Sequence, residues 1–306
     1  MKMAITGGGN RHFVLESQFN VHMPIIAIAL LFGSAILHTS WNLLLKQAGE
    51  KYVATWWAVL LGSAIFLPVL PFTGLPVREV WPLLLASVLV EAGYYTVLSS
   101  AYQDADFSLV YPLSRGAAPV LIAIWSVAFL EERFTTGGTL GLGIIILGLL
   151  IVGGSNLFQR NKEKPHVRGI ALALILAVLI SIYTTVDGAA VKRTPALPYA
   201  VLVFFLAPAL TAPVMFQRYG WQALKFELVG HRFRIIGIGL LTVSSYLLAL
   251  AAYAIAPVSY SGAVREVSVV LGALTGWLFL RERLGKWRLA GALVIFCGIL
   301  VIAKFG

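Results

Sequence analysis

Residue n and residue n+150 repeat one another across the middle of this chain. Between Arg115 and Val152, twelve of the 38 pairs at that offset are identical, among them Arg115/Arg265, Phe129/Phe279, Leu130/Leu280, Glu132/Glu282, Arg133/Arg283, Gly141/Gly291 and Gly148/Gly298. Apolar composition alone produces chance matches of Leu, Val and Ala. It does not readily produce a paired arginine together with Phe-Leu-x-Glu-Arg at one offset. The chain is read as a duplication with an intramembrane charge in each half, the pattern of a membrane transporter assembled from repeats.

Lipid has to be the solvent of such a chain. Of its 306 residues 59% are hydrophobic and 12% charged, with mean hydropathy +0.88, whereas a soluble domain has about a quarter of its residues charged. The formal charge is +10, and nearly all the basic residues sit in short gaps between apolar runs. That dispersal suits loops facing anionic headgroups and argues against a nucleic-acid partner. The single Cys297 excludes an internal disulfide and is read as a small core hydrophobe. There is no zinc-type Cys/His spacing and no Walker-type phosphate loop, so no cofactor or metal is expected. Residues 1–23 are polar and irregular, lack the order of a signal peptide, and contain Gly7-Gly8-Gly9 without a strand before it or a helix after it. They are read as a loose tail or an over-extended start, with Met23 directly before the first apolar run.

A spanning helix needs about 20 mostly apolar residues. Ten segments meet that need: 24–46, 52–72, 80–102, 107–130 and 135–155, then 169–191, 197–216, 233–254, 257–280 and 287–304. The polar stretch 156–168 separates two five-helix units, 24–155 and 169–306. Because five is odd, the second unit enters the membrane from the opposite side. The predicted fold is an all-α integral membrane protein of ten transmembrane helices in two inverted five-helix repeats. Pro68 and Pro71 in segment 2, and Pro208 and Pro213 in segment 7, are expected to kink their helices. Segment 4, with Pro112 and Pro119 around Arg115, is expected to bend or break at that arginine. Gly137/Gly141 and Gly272/Gly276 have the spacing of close helix contacts. Fourteen of the 23 Lys and Arg lie after segments 1, 3, 5, 7 and 9, and seven at the termini and the remaining gaps. The positive-inside rule then favours external termini.

An ionisable group in hydrocarbon costs at least about 2.5–3.5 kcal/mol, so each one needs a partner, water or a purpose. Glu91, Arg115, Asp187, Arg265 and Glu266 fall inside spans, and His38 joins them. Arg115 and Arg265 lie about eight residues into their segments, roughly 12 Å from the end, and the symmetry brings them to equivalent depths. Two arginines suit a bidentate hold on carboxylate or phosphoryl groups; equally, each can tie helices together by pairing with Glu91 or Glu266. Glu91 and Glu266 are candidate proton couplers, since a carboxylate whose proton depends on whether substrate occupies the arginine links the two events. A permanent ion pair is the alternative. At offset 145, Thr39-Ser40-x-Asn42 matches Thr184-Thr185-x-Asp187. His38 with Asn42, and Tyr183 with Asp187, share helix faces that either line a site or bond helices together. Tyr95/Tyr246 and Tyr102/Tyr253 repeat at offset 151, with Tyr94 alongside, and suit a cavity wall or plain packing. The acid and base of Phe-Leu-x-Glu-Arg are expected to form an interfacial clasp at the helix end.

The ten segments, the two five-helix units and the repeated Leu-x-Glu-Arg closing the fourth helix of each resemble the EamA family of the drug/metabolite transporter superfamily, over about residues 24–306. The resemblance implies secondary transport, usually export, of small organic metabolites such as amino acids. It also implies a central cavity lined by helices 1, 3 and 4 and their mates 6, 8 and 9, with cytosolic termini. Leu37-His38-Thr39-Ser40-Trp41-Asn42 stands where many relatives have a Trp-Gly pair, and the twin arginines are not a general family feature. Both point to an anionic or zwitterionic substrate.

The leading expectation is an alternating-access, proton-coupled carrier in the plasma membrane, binding substrate through Arg115, Arg265, His38, Asn42, Tyr95, Asp187 and Tyr246. A homodimer is an open possibility. A translocase of lipid-linked phosphate headgroups is the alternative. An enzyme is disfavoured by the lack of a nucleophile–base pair. A scaffold is disfavoured by its lack of any use for buried charge.

Overall fold

Helices begin and end close to the apolar runs. The computed structural model describes residues 23–46, 48–104, 107–158, 167–280 and 286–306. The tail 1–22, most of the polar stretch (159–166), Glu282 and Arg283 lie outside the described residues, as does the side chain of Tyr102. The regular structure of the described residues is helical: α1 Ile25–Lys46, α2 Lys51–Phe66, α3 Trp81–Asp104, α4 Phe107–Leu130, α5 Thr136–Phe158 and α6 Val167–Val191. The run Ala196–Ile255 has 60 residues and would be roughly 90 Å long as one rod, three times a bilayer core. Non-helical backbone at Gly220 (φ 71°) and His231 (φ −128°) divides it into α7 (196–219), α8 (221–230) and α9 (232–255). Then follow α10 Val258–Arg265, α11 Val267–Leu280 and α12 Lys286–Phe305. Six of the helical stretches are long and apolar enough to cross a membrane, and 136–152 and 289–305 are shorter apolar helices. Large apolar side chains such as Phe72, Phe129, Leu140, Val167 and Leu293 face outward, as lipid solvation requires.

Backbone breaks fall where local chemistry demands them. Pro68 ends α2 in a 3-10 turn, Leu67–Val69, followed by a four-residue helix Leu70–Thr73. Pro208 sits inside α7 and cannot donate to the Phe204 carbonyl four residues back. Ser63 Oγ donates to that carbonyl instead, at 3.1 Å, which ties α2 to α7. The expected break at Arg115 is absent: α4 runs unbroken through Pro112 and Arg115. It is the second copy that breaks, at Glu266 (φ −68°, ψ −2°), directly after Arg265.

The two halves pack by exchange. α1 packs on α9 as α6 packs on α3, and α4 packs on α6 as α10 and α11 pack on α1. α5 and α12 cross at the repeated glycines. A Cβ built on Gly148 would lie 2.9 Å from the Gly291 carbonyl oxygen, and one on Gly291 2.8 Å from that of Gly148; Gly141 and Gly298 face each other in the same way at 2.9 and 2.8 Å. The numbering runs oppositely along the two helices, so they cross antiparallel, with fully buried Ile145 and Ile295 between the glycine pairs. Gly148→Ala and Gly291→Ala are each expected to lower stability by about 1–3 kcal/mol through overpacking against backbone, read as a lower unfolding temperature in detergent.

Two sequence expectations are corrected here. Gly272 meets nothing within 4 Å, so the 272/276 spacing marks no contact at that residue. Cys297 is exposed, because it lies on the outward stripe of α12 with Leu293, Phe296 and Leu300 rather than on the glycine face.

Candidate functional site

Six helices bring ionisable and hydroxylic groups together: His38 from α1, Glu91 from α3, Arg115 from α4, Asp187 from α6, Tyr246 and Tyr253 from α9, and Arg265 and Glu266 where α10 breaks. His38 lies within electrostatic range of both arginines, and the arginines of each other.

The repeat-related arginines are in different states. Arg115 Nη1 donates to Glu266 Oε1 at 3.2 Å, with side chains 11% and 5% exposed, and Nη2 lies 3.4 Å from His38 Nε2. The His38 ring is edge-on to Trp41, centroids 5.0 Å apart, which fixes the imidazole against the guanidinium. Arg265 is half-buried, and its Nη1 donates to the Tyr253 hydroxyl at 3.5 Å. Among the described residues no carboxylate stands within salt-bridge distance of it. Glu266 Oε2 is buried without a hydrogen-bond partner among the described residues. Among the described residues, a guanidinium without a carboxylate partner and a carboxylate oxygen without a donor thus arise from consecutive residues at one break.

Asp187 is fully buried and accepts from Ser87 Oγ at 2.5 Å, Tyr199 Oη at 2.7 Å and Tyr246 Oη. Three hydroxyls from α3, α7 and α9 satisfy this carboxylate, which solves the problem of burying a charge. Phe204 stacks on Tyr246, centroids 4.2 Å apart, and holds its hydroxyl on the acid. Of the two roles open to the Tyr183/Asp187 face, bonding helices together describes the Asp187 carboxylate, which points into this hydroxyl cluster. Glu91 is 4% exposed, receives no hydrogen bond from the described residues, and lies within electrostatic range of Asp187 and Arg265.

Tyr95 packs beside the core, with Tyr94 at 5.5 Å between ring centroids and Tyr183 at 6.0 Å from Tyr94. Asn42 Nδ2 donates to the His38 carbonyl of its own helix at 2.7 Å. Thr39 Oγ1 reaches the Ser268 carbonyl at 3.5 Å and fastens α1 to α11.

The Leu-x-Glu-Arg acid acts across helices, not on its neighbouring arginine. Glu132 accepts from the Val258 and Ser259 amides at 2.6 and 3.2 Å, from Ser259 Oγ at 2.6 Å and from Lys192 Nζ at 3.4 Å. Two amides that the first turn of α10 leaves open are therefore capped by the end of α4. This partner is invisible in the local sequence, because the clasp spans 126 residues. Glu132→Ala is expected to cost about 2–4 kcal/mol, since it orphans two buried amides and a buried hydroxyl, and to slow transport by loosening the helix that carries Arg265. Glu132→Gln is expected to recover part of both, measured as unfolding temperature and flux.

A family model described as the EamA-like transporter family matches this sequence twice, over residues 25–154 and 167–304. An uncharacterized transporter of Bacillus subtilis, YwfM, is 24% identical over 247 residues, covering 79% of this chain and 80% of its own. A probable 4-amino-4-deoxy-L-arabinose-phosphoundecaprenol flippase subunit of Pseudomonas paraeruginosa, ArnF, is 28% identical over 131 residues, 37% of this chain and 96% of its own. One solved crystal structure superposes with a TM-score of 0.70 at 18% identity, covering 91% of this chain and 96% of its own, a likeness of fold.

Proposed function

This chain belongs to the EamA-like transporter family and is a multi-pass membrane protein, and on that premise we propose a secondary carrier for a small zwitterionic metabolite, exporting an amino-acid-like solute across the plasma membrane by proton-coupled alternating access. The carrying observation is the pair left open at the α10 break. Arg265 has no carboxylate partner among the described residues, and Glu266 Oε2 has no donor. A solute with an anionic and an ammonium group supplies both, through charge-assisted bonds. Arg115, braced by His38, holds Glu266 in place, Tyr95, Tyr246 and Asp187 form the wall, and Glu91 takes the coupled proton. In this reading ten spans form two inverted five-helix repeats. The antiparallel glycine crossing of α5 and α12 supports that arrangement, and rocking of the halves about it opens the site to each side in turn.

The test is counterflow in proteoliposomes with labelled amino acids, organic acids and phosphonates, with and without an imposed pH gradient. Gradient-accelerated release of the zwitterions, with the acceleration lost in Glu91→Gln, is the expected result. Flux indifferent to the gradient in the wild type removes the proton coupling.

A second reading is kept because ArnF is named as a subunit of a flippase for an amino-sugar phosphate on a lipid carrier. Such a headgroup also joins an anion to an amine. Flux of lipid-linked headgroups and none of water-soluble solutes favours it.

A further inference from the structure

The second half carries an element that the first does not. Between Thr73 and α3 the first half turns through Gly74 and one 3-10 turn, Arg78–Val80. Between α7 and α9 the second half inserts α8, set off by the breaks at Gly220 and His231. The inner face of α8 is firmly held. Leu224 and Glu227 are buried and Leu228 packs beside Trp57, whose Nε1 donates to the Leu224 carbonyl at 3.0 Å. Glu227 accepts from the Glu50 amide at 3.3 Å and lies 3.1 Å from His231 Nδ1. The anchored face thus follows helical spacing, at 224, 227 and 228.

The outer face is apolar and cationic. Trp221, Phe226, Val229 and Phe233 are 53, 76, 56 and 78% exposed. Arg218, Lys225 and Arg232 are exposed and Arg234 half-buried, while the one acid between 217 and 234, Glu227, is turned inward. An open cleft of about 420 Å³ lies at the second break, lined by Val229, Gly230, His231, Arg232, Phe233 and Arg234.

We propose that α8 and its flanking breaks form a docking surface for anionic phospholipid headgroups. The phosphodiester lies in the cleft beside Arg232 and Arg234, and Trp221, Phe226 and Phe233 enter the boundary between headgroups and acyl chains. Aromatic and apolar residues opposite a buried face, with cations and no exposed acid between them, are what an interfacial helix presents to an anionic leaflet. Through Glu227 and the Leu224 carbonyl, the bound lipid fixes the α1–α2 junction as well as α8. The proposal is independent of the substrate reading, since none of these residues belongs to the transport site.

The full-length protein is placed in nanodiscs of phosphatidylcholine alone or mixed with phosphatidylglycerol. Lipids retained on release are counted by native mass spectrometry, and unfolding temperatures are compared. The expected result is retention of phosphatidylglycerol over phosphatidylcholine by about tenfold or more, a higher unfolding temperature with phosphatidylglycerol, and weakening of both at high salt. Both differences disappear in Arg218→Gln/Lys225→Gln/Arg232→Gln/Arg234→Gln. Equal retention of the two lipids by the wild-type protein overturns the proposal, and this comparison stands even where the variant fails to fold. Undiminished phosphatidylglycerol preference in a folded variant overturns it too. So does reproduction of the thermal shift by inorganic phosphate alone, which marks a free-anion site.

Discussion

Arg265→Gln lowers substrate flux by about two to three orders of magnitude while the protein stays folded. Losing a partly buried charge-assisted contact to a bound anion costs about 3–4 kcal/mol, and here it falls on the substrate because Arg265 has no carboxylate partner among the described residues to stabilise the fold. Arg115→Gln is expected to act differently, although sequence makes the two arginines equivalent. It strips Glu266 of its cation and leaves a buried carboxylate poorly matched, a loss of about 3 kcal/mol in stability. Initial rates in proteoliposomes, beside unfolding temperatures of the same preparations, separate the two. A folded Arg265→Gln protein with wild-type rates removes the anion anchor from the account.

Asp187→Ala is expected to have the largest effect on stability, about 3–5 kcal/mol. It leaves the hydroxyls of Ser87, Tyr199 and Tyr246 buried without an acceptor, each costing about 1–3 kcal/mol before relaxation. The helices α3, α6, α7 and α9 lose the group that joins them. Asp187→Asn keeps one carbonyl acceptor, and hydroxyls can rotate towards it, so its expected cost is about 1–2 kcal/mol. Unfolding in mixed micelles gives both values. A fully stable Asp187→Ala protein contradicts the structural hub and returns Asp187 to a purely substrate-facing role.

Helix positions were legible because each one follows an uninterrupted apolar run, and the observed ends lie within a few residues of those runs. The same arithmetic of length and hydropathy singled out Glu91, Arg115, Asp187, Arg265 and Glu266, since charge in such a setting needs a partner. The partners themselves were hidden. Asp187 collects hydroxyls 100, 12 and 59 residues away, and nothing local to Ser87 or Tyr199 announces an acid. Propensity points to a break at Arg115, beside Pro112, whereas the backbone breaks at Glu266 of the second copy. A proline's lost hydrogen bond is tolerated in a packed helix, and α4 remains continuous. No helix is expected at 217–232, between segments 7 and 8, yet α8 lies there: it buries only Leu224 and Glu227, with Leu228 half-buried, and its apolar residues are split between two faces.

In this mechanism Arg265 and Glu266 Oε2 together read a solute carrying both charges. That recognition is tested most directly by equilibrium binding to the purified wild-type protein of three matched sets: amino acids, the amines that lack their carboxylates, and the acids that lack their amino groups. The amino acids which bind are expected to lose at least about tenfold in affinity on removal of either group, since each contact is worth about 1.4 kcal/mol or more. Amines that bind as tightly as their parent amino acids contradict it.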